Sequence, residues 1–328
     1  MSELHEEAAG RRRPGGPTEP GLRIGVLSSS DIDDVHAATL AVLERTGVLV
    51  EADDALAIFA DGGCEVDRET HVVRMPPDVV EAAIASCARD SSADGAGETG
   101  RRTTYSNFDE GVLYVDPWTG QRREPGKRDV AHCARLVDAL ANIDHYSAAV
   151  WPRDVPTETA VIHGCEAALL ETSKGVGCEA TSAWEVRLCA ELGACVAGSM
   201  DELRKRQTVS FGTCPVSPLR LSRESTEVII ECARLGLSDT ILSMAMAGAT
   251  APVSLAGTLV VHNAEVLSGL VLAQLVEPGV PVVYGSSTTA MDLRSGTAAV
   301  GTPELALIGI AVAQLTHRYR LPGLIAGL

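Results

Sequence analysis

Apolar residues recur at helical spacing early in the chain: Ile32, Val35, Ala38 and Val42 or Leu43 share one side of Asp31–Glu44. The same reading gives a second helix over Ala52–Ala60. Cys64–Asp67 and His71–Arg74, flanking Arg68-Glu69-Thr70, predict a hairpin, and Pro76-Pro77 opens a helix through Cys87 because proline is tolerated in a first helical turn. The Ser/Gly/Asp-rich Asp90–Gly100 predicts a loop, Tyr105–Val115 a strand, and Asp116-Pro117-Trp118-Thr119-Gly120 a turn. Residues 1–21 form a Gly/Pro/Arg/Glu tail with the composition of a disordered segment.

From about Asp144 short apolar runs alternate with helical segments, as a string of βα units would give. The predicted strands are Tyr146–Val150, Gly175–Cys178, Thr208–Phe211, Thr240–Met244, Pro281–Tyr284 and Leu324–Ala326, with helices near 157–171, 183–198, 222–235, 256–276 and 303–319. A doubly wound open sheet and a (β/α)8 barrel both accept this pattern. No GxGxxG follows the first strand, which removes the main support for a dinucleotide fold. The expectation is therefore an α/β protein of TIM-barrel type, about six of eight strands over 143–328, with an N-terminal α/β extension over 22–142 after the tail. In a barrel the strands near 146–150, 208–211, 240–244 and 281–284 are expected as parallel consecutive neighbours in one curved sheet. In an open sheet their order reverses.

A net charge of −17 argues against a general nucleic-acid binder, which needs a basic surface. Nine cysteines, odd in number and without CxxC pairing, read as reduced thiols of a cytoplasmic protein. No apolar run follows Arg11-Arg12-Arg13, so no targeting segment is read there. The uncharged stretch Thr240–Ala264 is long enough to raise the membrane question, but its Gly248, Pro252, Gly257, His262 and Asn263 fit a buried strand, loop and helix better. No membrane or nucleic-acid partner is expected.

Several long segments carry a resemblance. They are Leu242–Val253 (LSMAMAGATAPV) with Leu255–Thr258 and His262–Glu265, Tyr284–Thr289 (YGSSTT) with Met291–Arg294, Ser210–Pro218, Val150–Asp154, Glu44–Gly47 and Asp109–Gly111. In this order they closely resemble the trimethylamine methyltransferase family from about residue 22 onward. The resemblance implies methyl transfer from trimethylamine, or a related methylated amine, to Co(I) of a cognate corrinoid protein. The cobalamin-type cofactor is then carried by that partner, with none bound directly by this chain and no metal site. Some members carry pyrrolysine, encoded by an amber codon, shortly after the stretch matching Leu321–Gly327. The resemblance thus places the catalytic residue beyond Leu328 and reads the chain as truncated there. Two other readings stay open: a betaine or quaternary-amine corrinoid methyltransferase without pyrrolysine, and an inactive fragment or binding module. Homo-oligomerisation is also left open.

A methylated ammonium is a bulky, weakly hydrated cation, suited to aromatic faces and a carboxylate. Trp151, Phe211 and Tyr284 fall at or after predicted strand ends, where each either touches substrate or plugs the core. Asp292 and Glu304 flank the loop after the fifth strand. Glu304 also fits a first-turn helix residue stabilised by the dipole after Pro303. Gly285, Ser286, Ser287, Thr288 and Thr289 could offer N–H and hydroxyl groups to an anion, and in the corrinoid reading they line the mouth that cobalt approaches. His163 and Cys165 sit at i and i+2 of a helix and do not face together. Cys214 has no clear histidine partner and reads as packing.

Overall fold

The computed structural model describes residues 24–87 and 103–326; the predicted tail and the whole of the predicted Asp90–Gly100 loop lie outside them. The chain forms two compact units, one built on Ser91–Gly177 and the other on Ile24–Asp90 with Cys178–Leu328. The second unit thus joins segments that the linear division at 142/143 separates.

In its first segment, α1 (Ser29–Arg45) starts at a capping box: Asp31 N–H donates to Ser28 Oγ at 3.2 Å, and Ser28 N–H to the Asp31 carboxylate at 2.8 Å. Val35, Thr39 and Leu43, four residues apart, form its buried stripe. Gly47 (φ +78°) turns the chain into β1 (Val48–Val50); a Cβ there would sit 2.5 Å from the Val73 carbonyl oxygen. Then follow α2 (Asp53–Asp61), the antiparallel hairpin of β2 (Glu65–Asp67) and β3 (Val72–Arg74), and α3 (Pro77–Ser86).

In the Ser91–Gly177 unit, β4 (Tyr114–Val115) and β5 (Arg122–Arg123) flank the predicted turn, where the Asp116 carboxylate accepts from Trp118 and Thr119 N–H. The strand expected over Tyr105–Val115 is shorter: only its last two residues form one, with isolated bridges at Ser106 and Gly111. After α4 (Lys127–Ala139), β6 (His145–Tyr146), α5 (Ala160–Leu169) and β7 (Gly175–Cys178), the β6–β7 pair is parallel.

The remainder of the second unit repeats the βα theme through α6 (Ala183–Ala197), α7 (Met200–Arg206), β8 (Val209–Thr213), β9 (Arg220–Leu221), α8 (Arg223–Leu235), β10 (Asp239–Ser243), β11 (Met246–Ala247), α9 (Leu255–Val276), β12 (Val282–Ser286), β13 (Thr289–Asp292), β14 (Thr297–Ala298), α10 (Pro303–Tyr319) and β15 (Gly323–Ile325). Strands β8, β10, β12 and β15 are consecutive parallel neighbours, with Phe211 beside Asp239, Ile241 beside Tyr284, and Gly285 beside Leu324. The order never reverses. This is the progression of a (β/α) barrel and excludes the doubly wound alternative for this unit.

Helix α9 is apolar on every side and packs against α1, α3, α8 and α10. It is the one helix among the described residues long and apolar enough to cross a membrane, yet 78% of that window is buried inside the fold. A helix hydrophobic all round marks the centre of a core.

Candidate active site

Side chains alternate between the two faces of a strand, so a few contacts orient the whole sheet. Ile241 touches Gly269 of α9 and Tyr284 bonds to Asn263 of α9, which puts Asp239, Ile241 and Ser243 with Tyr284 and Ser286 on the helix-packed face. Phe211 and Thr213 share that face, since Phe211 pairs with Asp239 and Thr213 bonds to it. Gly212, Thr240, Leu242 and Gly285 therefore occupy the opposite, inner face. Catalytic groups of barrel enzymes gather at the C-terminal ends of the strands.

On the inner face the glycines leave room that neighbours fill. A Cβ on Gly212 would lie 2.8 Å from Oε1 and 2.9 Å from Oε2 of Glu179, so this carboxylate rests directly on the bare backbone of β8. A Cβ on Gly285 would lie 2.8 Å from Leu242 Cβ, so Leu242 covers that glycine. Met244, just past β10, is 50% exposed. Glu179 itself follows β7 immediately and is half-buried. Its loop is fixed from behind: Glu185 of α6, 4% exposed, accepts from Thr181 N–H (2.8 Å), Thr181 Oγ (3.0 Å) and Ser182 Oγ (3.1 Å).

Helix α9 fixes other strand ends in the same way. Glu265, fully buried, accepts from Ser217 Oγ (2.8 Å) and Leu219 N–H (3.0 Å) in the loop after β8, and from Ser243 Oγ (2.6 Å) at the end of β10. Burial pushes its carboxyl up, against the opposing pull of these three donors. Thr288 donates to the Ser243 carbonyl (3.2 Å), so it accepts from His262 Nδ1 (2.9 Å), leaving buried Nε2 without a protein partner. Burial drives this imidazole down to about 3. Asn263 donates to Thr39 Oγ (3.0 Å) and Tyr319 Oη (2.8 Å) and accepts from Tyr284 Oη (2.7 Å). At the start of β10, Asp239 Oδ2 accepts from Thr213 Oγ (2.8 Å) while buried Oδ1 has no partner. Burial raises this carboxyl to about 7.

The residues singled out from the sequence do not converge. Phe211 and Tyr284, 2% and 0% exposed, lie in the sheet–helix core, because strand parity turns them away from the inner face. The Tyr284 ring packs against His262 and Tyr319. Trp151 belongs to the Ser91–Gly177 unit. Asp292 is exposed and closes the β13–β14 turn, accepting from Arg294 N–H and Ser295 Oγ, bonds that hold its carboxyl below the usual range. Glu304 is exposed in the first turn of α10, where the helix dipole accounts for it. Gly285 and Ser286 are strand residues, and the N–H groups that follow are taken up internally: Ser287 by the Ser243 carbonyl, Thr288 by Ser286 Oγ, and Thr289 by the Ala245 carbonyl. The anion cradle read from this segment is thus occupied by the protein's own acceptors. Glu179 went unnoticed, although its place directly after a predicted strand and three residues before Ser182-Ala-Trp-Glu185, a capping-box pattern, marks it in the sequence.

Replacing Tyr284 with phenylalanine should lower stability by about 1–2 kcal/mol, since a buried carbonyl of Asn263 loses its donor. Denaturant titration measures this. A variant as stable as the parent would show that the bond contributes nothing.

The family model described as trimethylamine methyltransferase (MTTB) matches residues 6–328. The chain is 42% identical over 313 residues to trimethylamine methyltransferase MttB of Desulfitobacterium hafniense, covering 94% of this chain and 63% of that protein. To the MttB of Methanosarcina thermophila it is 40% identical, covering 94% and 66%. A glycine betaine methyltransferase of D. hafniense is 28% identical, covering 92% and 64%. The chain thus spans about two thirds or slightly less of these relatives' length. The crystal structure of Methanosarcina barkeri monomethylamine methyltransferase aligns with a TM-score of 0.49 at 14% identity, covering 90% of this chain and 65% of that one. With the family model matched along nearly its whole length, the chain belongs to the trimethylamine methyltransferase family.

Proposed function

We propose that this protein transfers a methyl group from trimethylamine, or a closely related methylated amine, to Co(I) of a corrinoid carried by a separate cytoplasmic protein. One observation carries the choice of amine: identity to two trimethylamine methyltransferases is 42% and 40%, against 28% to a glycine betaine methyltransferase. In the transfer the C–N bond breaks with its electron pair left on nitrogen. Cobalt supplies the pair that forms the new bond to carbon, so trimethylammonium leaves as dimethylamine. The chain's share is to hold the amine with one methyl outward in a shaped, poorly hydrated space and to keep that geometry rigid. The anchoring of the strand-end loops by Glu185, His262 and Glu265 supports such a role.

The test is methyl transfer to a reduced corrinoid protein, followed by the absorbance change of cobalt, with trimethylamine, glycine betaine and ammonia as donors. Trimethylamine should give the fastest transfer and ammonia none. Transfer from betaine alone would replace the substrate, and transfer from no methylated donor would remove the assignment.

A further inference from the structure

We infer that the cleft where α2, α6 and α8 meet binds a small amino carboxylate, a zwitterion whose ammonium and carboxylate ends are joined by several methylene groups. The cleft has a volume of about 310 Å³, within the usual range for small-molecule sites. Every residue lining it lies on or caps one of these three helices. Its ligand is therefore a second one, apart from the methyl donor proposed above.

Helix α8 runs along the cleft and sets the order of the charges, with Arg223, Glu227, Glu231 and Arg234 recurring on one face at helical spacing. At one end Glu231, 6% exposed, is held by Arg187 of α6 at 3.2 Å, and Arg234 stands 3.9 Å from the same carboxylate oxygen. Two guanidiniums thus share one carboxylate, which leaves one positive charge uncompensated and N–H donors to spare. A second carboxylate fits there, because a guanidinium can bind it through two parallel hydrogen bonds. A phosphate dianion would exceed that single charge and meet Glu231. At the other end Arg223 is drawn to α2: its N–H donates to the Glu51 carboxylate (3.1 Å) and its Nη2 to the Glu51 carbonyl (3.3 Å). Asp53 and Asp54 follow directly and line the cleft with Glu227. Three carboxylates around one guanidinium leave a surplus of two negative charges, which suits an ammonium. Glu227 is separated from Glu231 and Arg234 by one to two turns, about 6–10 Å along the helix axis. A chain of several methylene groups spans that distance and an α-amino acid does not. Ile230, 5% exposed, lies between them and offers apolar surface to the chain.

Calorimetric titration with δ-aminovalerate at neutral pH, where both its ends are charged, tests the site without requiring catalysis. The protein should bind it at least tenfold more tightly than valerate or pentylamine, which carry one charge each. Glycine, whose charges stand too close to reach both ends, should bind at least tenfold more weakly as well. Arg234→Gln and Glu227→Gln should each weaken δ-aminovalerate binding at least tenfold with the melting temperature held. Arg187 is left in place in these variants, because its loss would strip buried Glu231 of its nearer partner. Arg234→Lys should retain part of the affinity, since it keeps the charge and loses the planar fork. No binding of δ-aminovalerate by the parent, or equal binding by the parent and either glutamine variant, overturns the inference. So does binding of valerate as tight as that of δ-aminovalerate, or tighter binding of inorganic phosphate, either of which would make the cleft a simple anion site.

Discussion

Asp239→Asn is expected to stabilise the protein by about 2–3 kcal/mol at pH 8 and to destabilise it by about 1–2 kcal/mol near pH 4. In the folded protein the buried Asp239 carboxyl ionises only near 7. In the unfolded chain it does so at about 4. Below pH 4 both states hold the proton and the residue is neutral in stability. As pH rises toward 7 the unfolded state releases its proton and the folded state does not. Stability therefore falls by about 1.4 kcal/mol per unit across this window, roughly 4 kcal/mol in all. Asparagine removes the ionisation and keeps an acceptor for Thr213. Its amide group takes the place of unpartnered Oδ1, which costs about 1–2 kcal/mol and leaves the net gain stated. Urea unfolding of both proteins at pH 4 to 8 reads this out. A difference that does not vary with pH would show that Asp239 ionises normally.

Glu265→Leu should destabilise the protein by about 3–5 kcal/mol and lower methyl transfer more than Glu265→Gln does. Leucine matches the bulk but strands Ser217 Oγ, Ser243 Oγ and Leu219 N–H, three buried or half-buried donors from two strand ends. Glutamine can keep its carbonyl on Leu219 N–H while its amide faces two hydroxyls that accept by rotating. Its cost should be about 1 kcal/mol. Melting curves and transfer rates of the two variants decide the matter. Equal loss in both would mean that the charge, and not the hydrogen-bond pattern, holds the loops.

The barrel progression was legible because β8, β10 and β12 are short runs, each separated from the next by a long helical segment, amphipathic in α8 and apolar all round in α9. The predicted 222–235, 256–276 and 303–319 correspond to Arg223–Leu235, Leu255–Val276 and Pro303–Tyr319. β1 escaped notice because three residues give no period, and its partners, β3 and β9, lie far along the chain. The site was less legible for a sharper reason. A strand of alternating pattern reveals which residues share a face but not which face is inner. Phe211 and Tyr284 look like ligand residues until the hydrogen bond from Tyr284 to Asn263 fixes the orientation. Gly212 carries no side chain to notice, and its meaning appears only when Glu179 is seen resting on it.

His262, Asn263 and Glu265 stand within a single turn of α9, and each serves a different neighbour: the segment after β12, the aromatic core, and the loop after β8 with the end of β10. An α-helix advances 100° per residue. Inserting or deleting one residue between Leu255 and His262 would swing all three side chains off their targets together, where point substitutions remove them singly. Length changes in this part of the molecule are therefore confined to the connections on either side of α9, and the exposed β13–β14 turn at Arg294–Gly296 is the place where the fold can accept added residues.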